Sequence, residues 1–253
     1  MSKVALITGA TAGFGEACAR TFINNHWKII ITGRRENRLT RLQNELGGPS
    51  RVHALCFDIR DFTQMQSALQ SIPVEFKDID VLVNNAGLAL GLEPVHETSI
   101  NNWETMIDTN IKGLAFCTRL VLPGMVEQRR GHIINIGSMA GTWPYPGGNV
   151  YGATKAFVKQ FSNNLKADLI GTPIRVTNIE PGLAETEFSI VRFNGDEKRA
   201  KEFYKGTQPL TGQDIADIVF WVSMLPPHVN INSLEVMPVC QSWSPLALHR
   251  EQA

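Results

Sequence analysis

Short runs of apolar and β-branched residues alternate with longer amphipathic stretches along most of the chain. The runs predict seven strands, at Val4–Gly9, Lys28–Gly33, Val52–Ile59, Val81–Gly87, His132–Ser138, Ile174–Gly182 and around Leu234–Val239. Continuous apolar runs indicate strands that are covered on both faces, and helices between them indicate right-handed crossovers. The pattern therefore predicts an α/β fold with a doubly wound, seven-stranded parallel sheet whose ligands bind at the carboxyl ends of the strands.

Two segments depart from this rhythm. Residues 183–210 form a polar, partly helical insertion directly after the sixth predicted strand, where a lid over a ligand site would lie. An ordinary pair of surface helices is the alternative. Residues 240–253 form a C-terminal tail whose apolar residues have little left to pack on within one domain. No linker, repeat or low-complexity tract divides the chain, so residues 1–253 are predicted to form a single domain.

Composition narrows the class of partner. The 253-residue chain has 24 basic and 24 acidic residues, and this balance gives no long-range attraction to nucleic acid or to an anionic membrane. The N-terminus lacks the pattern of a signal peptide, and no window approaches the roughly 18 apolar residues of a membrane span. The four cysteines stand singly, without metal-ligand spacing, so we expect reduced thiols, a cytoplasmic protein and no metal site.

A glycine-rich turn follows the first predicted strand and precedes a helical stretch. It reads Thr8-Gly9-Ala10-Thr11-Ala12-Gly13-Phe14-Gly15, which is a TGxxxGxG spacing. Glycines at a strand-to-helix turn let the backbone approach a pyrophosphate, and the helix N-terminus offers free N–H groups and a positive dipole end. A purely structural turn is the alternative, but the place between strand and helix favours dinucleotide binding.

The end of the second predicted strand indicates which dinucleotide. An NAD-preferring site places a carboxylate there for the ribose 2′-hydroxyl, whereas this chain has Gly33-Arg34-Arg35. Two guanidinium groups pair well with a 2′-phosphate. The sequence therefore predicts NADP(H), with arginines that merely solvate a loop as the alternative.

A serine, a tyrosine and a lysine supply candidate chemistry. Ser138 ends the fifth predicted strand, and Tyr151 and Lys155 stand four residues apart on one face of a predicted helix. A nearby cation stabilises a phenolate and lowers its pKa, which makes Tyr151 a usable acid or base. In the reducing direction Tyr151 gives its proton to a carbonyl oxygen that Ser138 hydrogen-bonds, while a nicotinamide delivers hydride to the carbon.

These motifs, with Asn84-Asn85-Ala86-Gly87 and Pro181-Gly182-Leu183-Ala184-Glu185-Thr186, occur in the order typical of the short-chain dehydrogenase/reductase family, which this chain resembles over nearly its whole length. The resemblance implies a single Rossmann domain and an NADP(H)-dependent oxidoreductase acting on CH–OH groups. It also implies a homotetramer, with the tail at a subunit contact.

The resemblance further implies roles for individual residues. Asp58 meets the adenine amino group, the PGxxxT segment covers the nicotinamide carboxamide, and Asn110 steadies a water linked to Lys155. The catalytic set is then Asn110, Ser138, Tyr151 and Lys155. The predicted coenzyme-binding residues are Gly9, Thr11, Gly13, Phe14, Gly15, Arg34, Arg35, Asp58, Ile59, Asn85, Ala86, Gly87, Tyr151, Lys155, Pro181, Gly182, Leu183 and Thr186.

The family implies the reaction but not the substrate. Segments such as TWPYPGGNVYGATKAF and HVNINSLEVMPV resemble the bacterial 3-hydroxy-acid dehydrogenases, whose substrates include serine, allo-threonine and malonic semialdehyde. PGLAETEFS and MPVCQSW also resemble the sulfoacetaldehyde reductases. Both substrate types are small anions, which need a cation or several donors in the pocket. The predicted substrate residues are Ser138, Tyr151, Arg192 as an anion clamp, Tyr145, Asn149 and Tyr204 as donors, and Trp143 as an apolar wall.

Three other functions remain open at this point. A reductase of larger neutral carbonyls, such as sugars or ketones, would share every motif. A non-catalytic NADP-sensing protein would usually lack the tyrosine or the lysine, and an epimerase or dehydratase would need a further sugar-nucleotide domain. All three catalytic side chains are present, which favours an enzyme.

Overall fold

The computed structural model describes residues 2–243, so most of the tail predicted at 240–253 lies outside the described residues. Within them, seven parallel strands form one sheet in the order β3-β2-β1-β4-β5-β6-β7. The strands are β1 Val4–Ile7, β2 Lys28–Gly33, β3 Val52–Cys56, β4 Ile79–Asn84, β5 Gly131–Ile136, β6 Ile174–Pro181 and β7 Ser233–Val236. The doubly wound sheet expected from the hydrophobic pattern is confirmed.

Helices cover both faces of this sheet. They are α1 Gly13–Asn24, α2 Glu36–Glu45, α3 Phe62–Gln70, α4 Ile100–Ile107, α5 Leu114–Glu127, α6 Asn149–Asp168, α7 Glu187–Arg192, α8 Glu197–Tyr204 and α9 Gly212–Met224. Alternate residues of β1 divide the core: Ala5 and Ile7 pack with α1, α2 and α9, whereas Val4 and Leu6 pack with α3, α5 and α6. Because both faces of the central strands are buried, β1, β4 and β5 are almost entirely buried, whereas the edge strand β7 alternates between exposed and partly buried residues.

Several strands are shorter at their carboxyl ends than the apolar runs predict. β1 ends at Ile7, β3 at Cys56, β4 at Asn84 and β5 at Ile136, which is two or three residues before each predicted end. The residues beyond these ends are the motif residues, and they leave the sheet to line a cleft. Apolar composition alone does not mark that departure, because the backbone turns at small residues that a strand also tolerates.

Residues 183–210 leave the sheet after β6 and return to it before α9. Ala184 and Leu210 form an isolated parallel bridge, the Leu210 N–H donates to Leu183 O at 3.0 Å, and the Glu185 N–H donates to Leu210 O at 2.8 Å. These contacts join the two ends of the segment. Helices α7 and α8 therefore belong to a segment whose two ends are hydrogen-bonded to each other beside the carboxyl edge of the sheet. Within residues 2–243, no helix has both the length and the apolar character that crossing a membrane requires.

Candidate active site

A cleft with a cavity volume of about 330 Å³ runs along the carboxyl edge of the sheet. Motif residues from β1, β2, β3, β4, β5 and β6 line it together with the first turns of α6 and α7. Sixteen of the eighteen predicted coenzyme-binding residues are on its wall; Gly15 and Leu183 are not. The residues on the wall are Gly9, Thr11, Gly13, Phe14, Arg34, Arg35, Asp58, Ile59, Asn85, Ala86, Gly87, Tyr151, Lys155, Pro181, Gly182 and Thr186.

The floor of the cleft is made by two backbone turns in close contact. A Cβ at Gly9 would lie 2.9 Å from the Ala86 Cα, and a Cβ at Gly15 would overlap the Gly9 carbonyl oxygen. The Thr8 hydroxyl accepts hydrogen bonds from the Asn85 and Ala86 N–H groups at 3.0 Å each, which ties the turn after β1 to the turn after β4. Gly15 thus acts through packing of the turn rather than by lining the cleft.

These turns fit a dinucleotide. Gly9 and Gly13 have φ values of +66° and +55°, which L side chains rarely adopt, and the resulting turn leads straight into the N-terminus of α1. Free N–H groups and the positive dipole end of α1 therefore lie beside the cleft, as a pyrophosphate requires. The donor set of the cleft is complementary to an anionic ligand at this end.

Charged side chains surround the mouth of the cleft near the end of β2. Arg34 Nη1 lies 3.7 Å from Asp58, whose carboxylate also accepts from Arg60 at 2.6 Å. Burial raises the pKa of Asp58, but hydrogen bonds from Arg60 and the charges of both arginines outweigh it and lower that pKa below its ordinary value. Asp58 is therefore ionised at neutral pH and able to accept a hydrogen bond from an amino group.

Arg35 has partners that the sequence did not indicate. Its Nε and Nη2 donate to the Thr11 hydroxyl at 3.2 and 2.8 Å, and its Nη1 lies 3.1 Å from Glu187. Arg38 on α2 also binds Glu187, with Nη1 at 2.7 Å from Oε1. Glu187 and Arg38 were not predicted as site residues. The signal available was weak: Thr186 followed by an acidic residue predicts a helix start, but not which arginines its first turn meets.

The tyrosine and the lysine lie on one face of α6, as their spacing predicts. Lys155 Nζ lies 5.9 Å from the centroid of the Tyr151 ring and donates to the Ile136 carbonyl at 2.7 Å. Burial lowers the pKa of Lys155 from 10.5 to about 8. Ser138, two residues after the end of β5, donates to the Pro181 carbonyl at 3.4 Å and accepts from the Ala140 N–H at 3.1 Å. Ser138, Tyr151 and Lys155 all line the cleft.

The protonation of Tyr151 differs from the sequence expectation. Burial raises the pKa of Tyr151 to about 12, while the charge of Arg192 and a hydrogen bond with Ser138 act in the opposite direction. The cation that lowers the pKa of the phenol is therefore Arg192 rather than the expected Lys155, and desolvation outweighs its effect. At neutral pH Tyr151 is protonated, which is the state needed to donate a proton to a carbonyl oxygen.

Asn110 lies one layer behind this group and does not line the cleft. It sits in a π-helical stretch, Asp108–Gly113, between α4 and α5. Its amide donates to the Leu88 carbonyl at 2.8 Å and to the Thr154 hydroxyl at 3.0 Å, and its Oδ1 accepts from the Leu88 N–H at 2.9 Å. A π-helical turn at such a place is common near functional sites, because it redirects one side chain.

The predicted substrate residues separate into two groups. Arg192 and Tyr145 lie beside the catalytic tyrosine: the Arg192 Cζ is 5.2 Å from the Tyr151 ring centroid, and Arg192 Nη2 donates to the Tyr145 hydroxyl at 3.2 Å. Neither lines the cleft, whereas Phe188 and Val191 on α7 do. Phe188 was not predicted, although the helix start at Thr186 places it four residues from Arg192 and so on one face with it.

Trp143, Asn149 and Tyr204 make contacts elsewhere. The Trp143 Nε1 donates to Glu235 at 2.8 Å, the Asn149 amide donates to the Glu93 carbonyl at 3.2 Å, and the Tyr204 hydroxyl donates to the Ala184 carbonyl at 2.8 Å. The structure therefore does not bring these three side chains to the cleft. Trp143 instead lies on the outer edge of the sheet, beside the end of the described chain.

Gln241 is a further residue that sequence reasoning did not find. Its Oε1 accepts from the Leu183 N–H at 2.7 Å, and its Nε2 lies 3.0 Å from Met139 Sδ. It thereby links the segment after β7 to the two turns that follow β5 and β6. No local pattern marks this role, since it depends on segments that meet only in the folded chain.

Comparison with known proteins decides the family. The short chain dehydrogenase model matches residues 3–196, which is well over half of the chain. The chain belongs to the short chain dehydrogenase family. The arrangement of Ser138, Tyr151 and Lys155 around a dinucleotide cleft is thus that of an oxidoreductase.

Relatives within the family are close and of matching length. The chain is 60% identical over 248 residues to the NADP-dependent 3-hydroxy acid dehydrogenase YdfG of Salmonella typhi, which covers 98% of this chain and 99% of the relative. It is 51% identical to sulfoacetaldehyde reductase 2 of Chromohalobacter salexigens, covering 99% of this chain and 100% of the relative. The closed form of a serine dehydrogenase complexed with NADP+ superposes with a TM-score of 0.94 at 58% identity, covering 98% of this chain and 100% of that one.

Proposed function

We propose that this protein is an NADP(H)-dependent oxidoreductase that interconverts a small anionic aldehyde and its alcohol, with 3-hydroxy acids as the main substrate class. The relatives named for 3-hydroxy acids and serine are closer in identity than the one named for sulfoacetaldehyde, which favours a carboxylate over a sulfonate. Malonic semialdehyde and its alcohol, 3-hydroxypropionate, are the simplest pair of that class.

The coenzyme assignment rests on charge and on backbone shape. NADP(H) carries a 2′-phosphate, and Arg34 and Arg35 present guanidinium groups at the place where an NAD-preferring site has a carboxylate. The backbone also superposes on a serine dehydrogenase that holds NADP+. Bound NADPH supplies a hydride to the carbonyl carbon of the substrate.

The chain's own residues supply the proton and hold the oxygen. Tyr151, protonated at neutral pH, donates its proton to the carbonyl oxygen as the C–H bond forms, and Ser138 donates a hydrogen bond to the same oxygen. Lys155, fixed by its hydrogen bond to the Ile136 carbonyl, places its amino group 5.9 Å from the centre of the Tyr151 ring, on the same face of α6. Asn110 holds the Leu88 backbone beside Gly87 and so fixes the wall opposite Lys155.

One observation supports the proposal of an anionic substrate: Arg192 is a buried guanidinium without a carboxylate partner among residues 2–243. It is 8% exposed, its Nε is buried with no hydrogen-bond partner, and its neighbours are the Tyr145 hydroxyl and the rings of Tyr151 and Phe188. A buried cation that lacks an anion is costly. A substrate carboxylate that reaches the guanidinium would remove that cost and place its carbonyl near Tyr151.

A homotetramer is part of the proposal. Two separate apolar patches are exposed: Phe62, Ile107 and Phe116 on α3, α4 and α5, and Trp221 with Met224 on α9. Two different self-complementary patches are what a tetramer with twofold axes requires. Light scattering that returns the mass of a monomer would refute it. A cytoplasmic location is also proposed, because all four cysteines are free thiols.

A panel of matched substrates tests the proposed function. NADPH consumption at neutral pH is measured with malonic semialdehyde, sulfoacetaldehyde and propanal, which have similar chain lengths. We expect the highest kcat/KM with malonic semialdehyde, and NADP+ reduction with 3-hydroxypropionate and L-serine. Equal or higher kcat/KM with propanal would overturn the anionic substrate and leave a reductase of neutral carbonyls.

A further inference from the structure

A carboxylate forms ion pairs with two arginines at the adenine end of the cleft. Glu187, the first residue of α7, places Oε1 at 2.7 Å and Oε2 at 2.8 Å from Arg38 Nη1, and Oε2 at 3.1 Å from Arg35 Nη1. Arg35 in turn donates through Nε and Nη2 to the Thr11 hydroxyl. A continuous set of polar contacts thus joins the glycine turn, the end of β2, α2 and α7.

These contacts cross the cleft from one side to the other. Arg35 follows β2 and Arg38 lies on α2, whereas Glu187 follows β6. In the sheet, β1, β4 and β5 lie between β2 and β6, and their carboxyl ends form the floor of the cleft. The turn residue Thr186 also approaches the glycine turn, since a Cβ at Gly13 would lie 3.3 Å from the Thr186 Cβ. A ligand on that floor therefore has the Glu187 bridge above it.

Glu187 is suited to an ion pair at neutral pH. Partial burial raises its pKa, but hydrogen bonds from Arg38 and Arg35 outweigh this and lower the pKa below its ordinary value. The Arg34 side chain, by contrast, is 56% exposed and among residues 2–243 pairs only with Asp58, at 3.7 Å, so its guanidinium is the more available one for a phosphate. The two adjacent arginines thus have different surroundings, although they look equivalent in the sequence.

We propose that Glu187 is a coenzyme-retention residue: its ion pairs with Arg35 and Arg38 fasten α7 across the cleft and must open before the coenzyme leaves. This inference rests on the proposed NADP(H) function. Arg38 does not line the cleft, so it acts on the coenzyme only through Glu187 and through its weaker contact with the Thr11 carbonyl at 3.4 Å. Helix α7 also carries Phe188 and Arg192, so the same bridge positions the substrate side of the site.

The test measures the rate at which NADPH leaves. NADPH bound to the purified full-length protein is displaced by excess NADP+ in a stopped-flow fluorimeter, and the dissociation rate is compared among variants. Glu187→Gln removes the charge and keeps the shape. Because exposed ion pairs contribute modestly, we expect the dissociation rate to rise about three- to tenfold. Raising the ionic strength should speed dissociation in the unmodified protein and have less effect in Glu187→Gln.

Two further variants make the result specific. Arg38→Gln should accelerate dissociation to a similar extent, and combining it with Glu187→Gln should add little, since both changes break one bridge. Glu197→Gln on α8 is the matched control: it removes a charge ten residues away, from an exposed side chain that forms no ion pair with any described residue. Its dissociation rate should equal that of the unmodified protein.

Specific outcomes would overturn the inference. A dissociation rate in Glu187→Gln that rises less than threefold would show that the bridge does not retain the coenzyme. Slower dissociation would mean that Glu187 competes with the 2′-phosphate for the arginines. If the unmodified protein binds no NADPH, the proposed function fails as well, whereas normal NADPH binding with an unchanged rate in the variant overturns only the bridge.

Discussion

The coenzyme side and the substrate side of the cleft hold their residues in different ways. After β1 and β4 the two backbone turns are in direct contact: Gly9 lies against Ala86, and the Thr8 hydroxyl accepts from backbone N–H groups that follow β4. On the substrate side, α7 is held by side chains, through Glu187 to two arginines and through Arg192 to Tyr145. Backbone contacts of this kind demand glycine at fixed spacing, whereas side-chain contacts accept many sequences.

This difference explains how far the sequence could be read. The sheet, its strand order and the wall around Gly9, Asn85 and Ser138 follow from apolar runs and from motifs whose residue types the geometry requires. Trp143, Asn149 and Tyr204 carry donors and rings suited to a substrate pocket, but no motif spacing fixes the direction of their side chains. The structure turns them to Glu235, Glu93 and Ala184 instead.

Strand ends and protonation could not be read from the sequence for a related reason. The predicted strand residues Ile59 and Asn85 continue the apolar or polar runs before them, but they lie beyond the ends of β3 and β4. The pKa of Tyr151 depends on burial and on Arg192, which is forty-one positions away in the chain. Both features arise only when distant segments pack together.

The largest effect on activity is expected at Tyr151, where the coenzyme side and the substrate side of the cleft meet. Tyr151→Phe removes the proton donor and keeps the ring against Phe188, so kcat for NADPH-dependent reduction should fall by about a thousandfold or more. NADPH binding, followed by its fluorescence, should change little. A kcat within tenfold of the unmodified protein would contradict the acid role of Tyr151.

On the coenzyme side, Arg34→Gln with Arg35→Gln should reduce the preference for NADP over NAD by about a hundredfold, since charged hydrogen bonds to a phosphate are lost. The measurement is the ratio of kcat/KM for the two coenzymes with one substrate. Arg41→Gln, an exposed arginine on α2 that pairs with Glu45, is the control. An unchanged ratio in the double variant would show that these arginines do not determine the choice of coenzyme.

Breaking a backbone contact in the glycine turn should weaken coenzyme binding more than it destabilises the fold. Gly15→Ala sets a Cβ against the Gly9 carbonyl and the Asn85 amide, which moves the glycine turn, so the Kd for NADPH should rise about tenfold or more. Gly124→Ala is the matched control, because a Cβ there has open space on α5 and should stabilise the helix slightly. Equal Kd values in the two variants would show that the turn tolerates displacement.

A separate effect concerns the pH dependence of stability. Lys155 titrates at about 8 when folded and at 10.5 ordinarily, so between these values the unfolded chain binds more protons and stability rises with pH. Relative to Lys155→Met, the unmodified protein should therefore gain on the order of 2 kcal/mol of unfolding free energy between pH 7 and pH 10. Urea titrations at the two pH values measure it, and a difference that does not change with pH would argue against a desolvated lysine.

The most direct measurement of the substrate assignment is the kcat/KM ratio of malonic semialdehyde to propanal in Arg192→Met. Loss of a charged hydrogen bond should lower that ratio about ten- to a hundredfold, mainly through KM for the anion, with propanal little affected. Arg199→Met, which removes an exposed arginine of α8, should leave the ratio unchanged. If Arg192→Met also leaves it unchanged, Arg192 does not bind the anion and the central claim of an anionic substrate held beside Tyr151 is wrong.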